Sequence, residues 1–284
     1  MSDPLKEEGV PDGLIPLIRL AATDAAMAAG MVIRGGFGKV QKIDQALPHD
    51  LKLWLDRASE GEILRVLHAR FPGHAVLSEE KGFEPGQEPY IWVVDPLDGT
   101  VNYHHGIPFF CTSIACHAIA DEAVQDADHR LPDGRSLGAP IIGVVYDPLR
   151  DEMFAGTAGR GASLNRAPLI APEVTRLDEA VVALSFGARK ESVQYMNRAL
   201  PALTLGARKV RSFGSTALDM VQVAAGRIGA FVQMGTNVWD FAAAAVVVRA
   251  AGGIVDAKEY APGRFRIIAS ARGIFEQVRG RAEG

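Results

Sequence analysis

Ile91-Trp92-Val93-Val94-Asp95-Pro96-Leu97-Asp98-Gly99-Thr100 runs four apolar residues straight into two aspartates three positions apart, then a glycine and a hydroxyl. Apolarity without polar alternation predicts a strand buried on both faces. Pro96 has no N–H for a ladder and a fixed φ, so the chain is expected to leave the sheet right after Asp95. The turn through Leu97 then brings Asp98 back beside Asp95. Two carboxylates about 4 Å apart repel by roughly 4 kcal/mol at an effective dielectric of about 20. A cation between them relieves that repulsion, and all-oxygen ligands point to Mg²⁺ or Mn²⁺ rather than Zn²⁺. On this segment alone, an acidic turn that caps the next element stays open as the plainer reading.

Two further segments bear on the choice. Phe71-Pro72-Gly73-His74-Ala75-Val76-Leu77-Ser78-Glu79-Glu80 reads as a turn, a short apolar strand and an acidic pair. Asn237-Val238-Trp239-Asp240 opens an apolar run, Phe241 to Ala251, closed by Gly252-Gly253. This predicts a helix with an aspartate in its first turn and glycine at its end. Taken alone, Asp240 fits an ordinary helix cap.

An acidic pair, W-x-x-D-P-x-D-G-T and a W-D-x-A helix start followed by A-G-G resemble the signatures of the inositol monophosphatase family. The resemblance runs from about residue 14 to about residue 270. It takes in Gly143-Val144-Val145-Tyr146-Asp147-Pro148, Gly159 to Asn165, and Gly214-Ser215-Thr216-Ala217-Leu218-Asp219. It implies an α+β (α/β) chain with the layered α-β-α-β-α sugar-phosphatase fold, the active site lying between two halves. One domain over 9–280 is expected, with halves of about 9–178 and 179–280. The implied activity is Mg²⁺-dependent hydrolysis of a small polyol or sugar phosphate, most like inositol 1-phosphate. Fructose 1,6-bisphosphate, 3′-phosphoadenosine 5′-phosphate and histidinol phosphate are the alternative substrates, and a non-catalytic regulatory protein that keeps the fold is the remaining alternative.

Position by position, the resemblance implies two to three Mg²⁺ ions (Mn²⁺ as an alternative) held by Glu79, Asp95, the Leu97 carbonyl, Asp98 and Asp240. Asp56 and Thr100 match the pair that positions the attacking water, with Glu79 alongside. Asp98, Gly99, Thr100, Gly214, Ser215, Thr216, Gln233 and Asp240 match substrate contacts. Inhibition by Li⁺ and a homodimer are further implications. Two departures stand out. The family usually reads D-L-V-T-x-x-D where this chain has Asp50-Leu51-Lys52-Leu53-Trp54-Leu55-Asp56, so Leu53 replaces a threonine while Asp56 is kept. Asp56 also fits an N-cap ahead of Arg57-Ala58-Ser59-Glu60. Gln233 stands where inositol-phosphate enzymes usually carry glutamate; its amide offers one acceptor and one NH₂ donor without charge.

Composition sets outer limits. With 284 residues, 48% of them hydrophobic, the chain can bury a substantial core. A net charge of −4 and a pI near 6.0 argue against a nucleic-acid binder. Arg208, Lys209 and Arg211, with Arg264, Arg266, Arg272, Arg279 and Arg281, read as solvated faces. Cys111 and Cys116 lie five apart in one expected strand, hence on opposite faces and unable to pair. Free buried thiols, no signal-peptide pattern and an apolar run (Phe241–Val248) too short to span a bilayer lead to a soluble cytoplasmic protein without membrane partners. Arg34-Gly35-Gly36-Phe37-Gly38-Lys39-Val40 lacks Walker A spacing and is expected to be a flexible loop. His104-His105 has no third His or Cys at zinc spacing.

Helices are predicted over 14–33, 57–69, 190–200, 215–226 and 240–251. Strands are predicted near 75–78, 91–95, 109–119, 141–146, 152–155, 180–184, 208–212, 229–233, 253–256 and 266–269.

Overall fold

The structure is a computed structural model that describes residues 10–47, 50–120, 129–187 and 189–284. Its first half begins with α1 (Leu14–Gly36), a hairpin of β1 (Ile43–Leu47) and β2 (Asp50–Leu53), and α2 (Trp54–Arg70). There follow β3 (Ala75–Ser78), β4 (Gly82–Glu84), β5 (Tyr90–Asp98), α3 (Thr100–His104), β6 (Cys111–Ala120) and β7 (Ser136–Asp147). The half closes with β8 (Glu152–Thr157), β9 (Gly161–Leu164) and β10 (Ala167–Leu169). Strands β3 to β10 form one sheet in the order β10-β9-β8-β7-β6-β5-β3-β4, in which only β3 and β5 pair parallel.

The second half comprises β11 (Val181–Phe186), α4 (Lys190–Gly206), β12 (Lys209–Arg211), α5 (Thr216–Ala224) and β13 (Ala230–Thr236). It continues with α6 (Val238–Ala250), β14 (Ile254–Ala261), β15 (Arg264–Ser270) and α7 (Phe275–Glu283). Its sheet runs β12-β11-β13-β15-β14, with β11 parallel to both neighbours.

Side-chain alternation builds the layers. On β5, Trp92 and Val94 face the layer of α2 and α1, and the alanine-rich stripe of α1 (Ala21, Ala22, Ala25, Ala29) allows close approach. Ile91 and Val93 face the other way, onto α5 and α6 and the inner face of the second sheet through Phe231 and Ile267. The outer face of that sheet, Val182, Leu184, Val232 and Ile268, packs on α4 and α7. The result is helix, sheet, helix, sheet, helix, the layering expected. Every residue of β5 is buried, as a strand covered on both faces must be. Cys111 and Cys116 fall in different cores and remain free thiols.

Several expectations change. The chain does not leave the sheet after Asp95. Asp95 pairs with Ser113 and Asp98 with Cys111, so Pro96 and Leu97 form a bulge opposite Thr112. Thr112 Oγ1 donates to the Pro96 carbonyl at 3.0 Å, which satisfies an acceptor the bulge strands. Arg34–Gly36 is the last turn of α1 rather than a loop. A Cβ on Gly36 would sit 2.6 Å from the Tyr103 hydroxyl, so only glycine lets α1 reach α3. Arg266 is no solvated residue: it is 6% exposed and pairs with Asp256 and Glu283 at 2.8 and 3.0 Å. By length and composition α1 is apolar enough to cross a bilayer, but its alanine stripe is spent on α2 and the large sheet.

Candidate active site

Parallel pairing sets Ser78 beside Val94, and the ladder extends one step as the Glu79 N–H donates to the Val94 carbonyl at 3.1 Å. Glu79 therefore ends β3 next to Asp95, where β5 bulges. Asp95 is 2% exposed, and its Oδ1 accepts from the Leu97 N–H at 3.0 Å. Asp240 comes from the other half as the third residue of α6. Its Oδ2 accepts from the Thr236 hydroxyl at 2.7 Å and the Asn237 N–H at 2.8 Å. Asn237, not Asp240, is the N-cap. Glu79, Asp95 and Asp240 each offer an oxygen within 4.8 Å of the others.

Asp98 joins the halves directly. Its Oδ2 accepts from the Ser215 hydroxyl at 2.6 Å and the Ala217 N–H at 2.7 Å, both at the start of α5. The Cys111 thiol lies 3.8 Å from the same oxygen. Asn102 adds a second joint, its Nδ2 donating to the carbonyls of Phe109 at 2.8 Å and Phe213 at 2.7 Å. This holds Gly214, at φ 92°, against the turn that carries Asp98. Gly99, at φ 96°, starts α3; a Cβ there would crowd the Phe109 carbonyl at 3.1 Å. Thr100 donates its hydroxyl to the Leu97 carbonyl at 2.9 Å. Thr216 donates to Gln233 Oε1 at 2.8 Å, so the acceptor of that amide is already engaged and its Nε2 is the group left for a ligand.

Electrostatics mark the cluster. Burial, then the neighbouring carboxylates, hold Glu79 and Asp95 well above the usual carboxylate range. Burial and Asp240 push Asp98 up to about 7 against the pull of its Ser215 and Ala217 bonds. Asp240 is raised by burial, opposed by its Asn237 and Thr236 bonds. Among the described residues no Lys, Arg or His lies within ion-pair distance of these four carboxyls. Buried and half-buried oxygen donors, opposed only by the more distant charges of Lys52 and Arg264, suit a hard divalent cation.

Asp56 is the third residue of α2, not its cap: Leu53 holds that position, and Asp56 Oδ2 accepts from the Leu53 N–H at 2.6 Å. Asp56 is 3% exposed, and its charge adds to the upward push on Glu79. The departures nearby are explained. Leu53 is fully buried, Trp54 is exposed, and Lys52 pairs with Glu80 at 2.8 Å. Three residues escaped sequence reasoning. Glu60, fully buried, accepts from the N–H groups of Glu80 and Lys81 at 3.3 and 3.2 Å and so anchors the acidic turn. Asp219, also fully buried, is pushed up to about 8 by burial and Asp98. Asn102 is the third. The only available signal was a polar side chain at a core-facing helical position.

The sequence pattern of the inositol monophosphatase family matches residues 17–124 and 136–280. The chain belongs to this family. Among its relatives is an inositol-1-monophosphatase of Synechocystis, 38% identical over 247 residues that cover 85% of this chain and 79% of the relative. The structure of the extragenic suppressor protein suhB from Bartonella henselae superposes with a TM-score of 0.81 at 30% identity. It covers 94% of this chain and 98% of the other. The inositol monophosphatase from Anabaena follows at a TM-score of 0.75 and 32% identity, covering 95% and 96%.

Proposed function

We propose that this inositol monophosphatase family member hydrolyses the phosphate monoester of a small polyol or sugar, of the inositol 1-phosphate type, with Mg²⁺ as cofactor. The observation that carries this is the meeting of Glu79, Asp95 and Asp240 oxygens within 4.8 Å of one another. Glu79, Asp95, the Leu97 carbonyl, Asp98 and Asp240 would hold two to three ions, Mn²⁺ being the alternative. Bound divalent ions supply charge neutralisation at the phosphate and acidify an attacking water.

The remaining work falls to the chain. Asp56 and the Thr100 hydroxyl orient the water, with Glu79 beside them. The Gly99 and Thr100 N–H groups meet phosphate oxygens. Asp98 and Asp240 also border the substrate. Gly214, Ser215 and Thr216 line its hydroxyl side, and Gln233 contributes an NH₂ donor there. Li⁺ inhibition, a homodimer and a cytoplasmic setting complete the reading. The test is phosphate release from inositol 1-phosphate, fructose 1,6-bisphosphate, 3′-phosphoadenosine 5′-phosphate and histidinol phosphate, with and without Mg²⁺, and with LiCl against NaCl. Inositol 1-phosphate should turn over fastest, only with Mg²⁺. Turnover untouched by EDTA would sink the metal assignment, and light scattering at monomer mass would sink the dimer.

A further inference from the structure

Arg166 occupies a backbone position that suits glycine. Leu164 pairs with Ala167, so Asn165 and Arg166 form a two-residue hairpin loop with φ of 48° and 70°. Two positive φ values mark a type I′ turn, in which glycine is preferred at the second position. Asn165 suits the first. Its Oδ1 accepts from the Met153 N–H at 2.7 Å, and its Nδ2 donates to the Asp151 carbonyl at 2.8 Å. Arg166 makes no such bond and holds a disfavoured conformation at the rim of a cavity of about 520 Å³ between α1 and strands β7 to β9.

Arg19, on α1, lines the same cavity, its Nη2 donating to the Ser163 hydroxyl of the Arg166 hairpin at 2.7 Å. Among the described residues, neither guanidinium has a carboxylate partner. Both acids at the cavity are already engaged, Asp24 by Arg70 and Asp151 by the Tyr146 hydroxyl at 2.7 Å. Leu20, Met27, Met153 and Ala155 supply apolar lining, Leu20 and Met27 from the exposed side of α1. Its size falls in the range of about 300–1,000 Å³ typical of small-molecule sites. None of these residues belongs to the carboxylate cluster.

We propose that this groove is a second binding site, for a small organic oxyanion. A phosphate or carboxylate head sits between Arg19 and Arg166, whose planar forks match either group, and an apolar body rests on Leu20 and Met27.

Calorimetric titration in EDTA with phenyl phosphate, benzoate and inorganic phosphate tests this. At least one of the two organic anions should bind saturably and more tightly than inorganic phosphate; the better head identifies the source. Arg166→Gly and Arg19→Met should each weaken binding by about five-fold or more, the loss of a charge-assisted bond. Arg166→Gly should melt no lower than wild type, since glycine relaxes the turn. Asp95→Asn should bind as wild type does. The proposal is overturned by the absence of saturable binding, by unchanged affinity in Arg166→Gly, or by inorganic phosphate binding as well as either organic anion. Loss of binding in Asp95→Asn would overturn it too, placing the anion at the carboxylate cluster.

Discussion

The two halves bring carboxylates to the same place by different means. In the first, Glu79 follows the end of β3 beside Asp95 at the β5 bulge, and both are held well above the usual range, Glu79 by burial and then Asp240, Asp95 by burial and then Glu79. In the second, Asp240 is bonded within its own helix start by Thr236 and Asn237. The first half crowds carboxyls whose charged forms disfavour one another; the second offers a group already held in position. Charge density and preorganisation are thus divided between two sheets, and Asp98, Ser215 and Asn102 fasten the division together.

The largest effect should come from Asp95→Asn. Activity should fall by on the order of a thousandfold or more, as when an electrostatic centre of a hydrolytic site is removed. In EDTA its thermal midpoint should stay level or rise, because a buried repulsive charge is gone. Asp240→Asn should also lose activity, yet it should melt lower in EDTA, by about 0.5–2 kcal/mol, because it weakens a helix start. Melting and phosphate-release assays on both variants, with and without Mg²⁺, check the contrast. Equal stability changes in EDTA would erase it.

Next in size is the joint. Asn102→Ala removes both donors from the Phe109 and Phe213 carbonyls, a loss of roughly 1–3 kcal/mol for each acceptor left buried. If Asn102 aligns the halves, kcat/KM should drop while the Mg²⁺ concentration for half activity barely moves. Asn102→Asp keeps the shape without the donors and should not rescue.

A smaller change is expected at Gln233. Its Oε1 is taken by Thr216, so Gln233→Glu preserves that bond and exchanges the NH₂ for a charged acceptor. Selectivity for inositol 1-phosphate over glycerol 2-phosphate should rise several-fold, on the order of 1 kcal/mol. An unchanged ratio across the two esters would remove Gln233 from the substrate side.

The smallest effect concerns pH. Burial holds His117 down to about 4, and its Nδ1 lies 3.1 Å from the Gly138 carbonyl. The unfolded chain takes up that proton first, near the ordinary histidine value of 6.5. Stability from neutral His117 is therefore present above that value and lost as the pH falls toward about 4. With Mg²⁺ saturating, melts across this window should steepen for wild type relative to His117→Gln. Parallel curves would count against it.

The strand expected over 91–95 and the helix expected over 240–251 were legible because apolar runs and turn residues act locally, whereas the five layers followed from the family resemblance. The β1–β2 hairpin, which displaces the start of α2 to Trp54, was not. Its four- and five-residue strands carry no clear alternation, and its register depends on Lys42 accepting from the Trp54 N–H at 3.0 Å.

By itself the sequence determined which carboxylates are available and that they lie in or just after buried strands or at a helix start, since burial pattern and backbone chemistry are properties of short segments. Tertiary structure decided what those groups meet. The bulge that keeps Pro96 in the sheet, the bonds from Ser215 to Asp98 and from Asn102 to Phe213, and the unseen support of Glu60 all join separate elements, the bonds to Asp98 and Phe213 spanning 117 and 111 positions. Such contacts form only when separate elements are packed to van der Waals distance, and no local pattern encodes the partner.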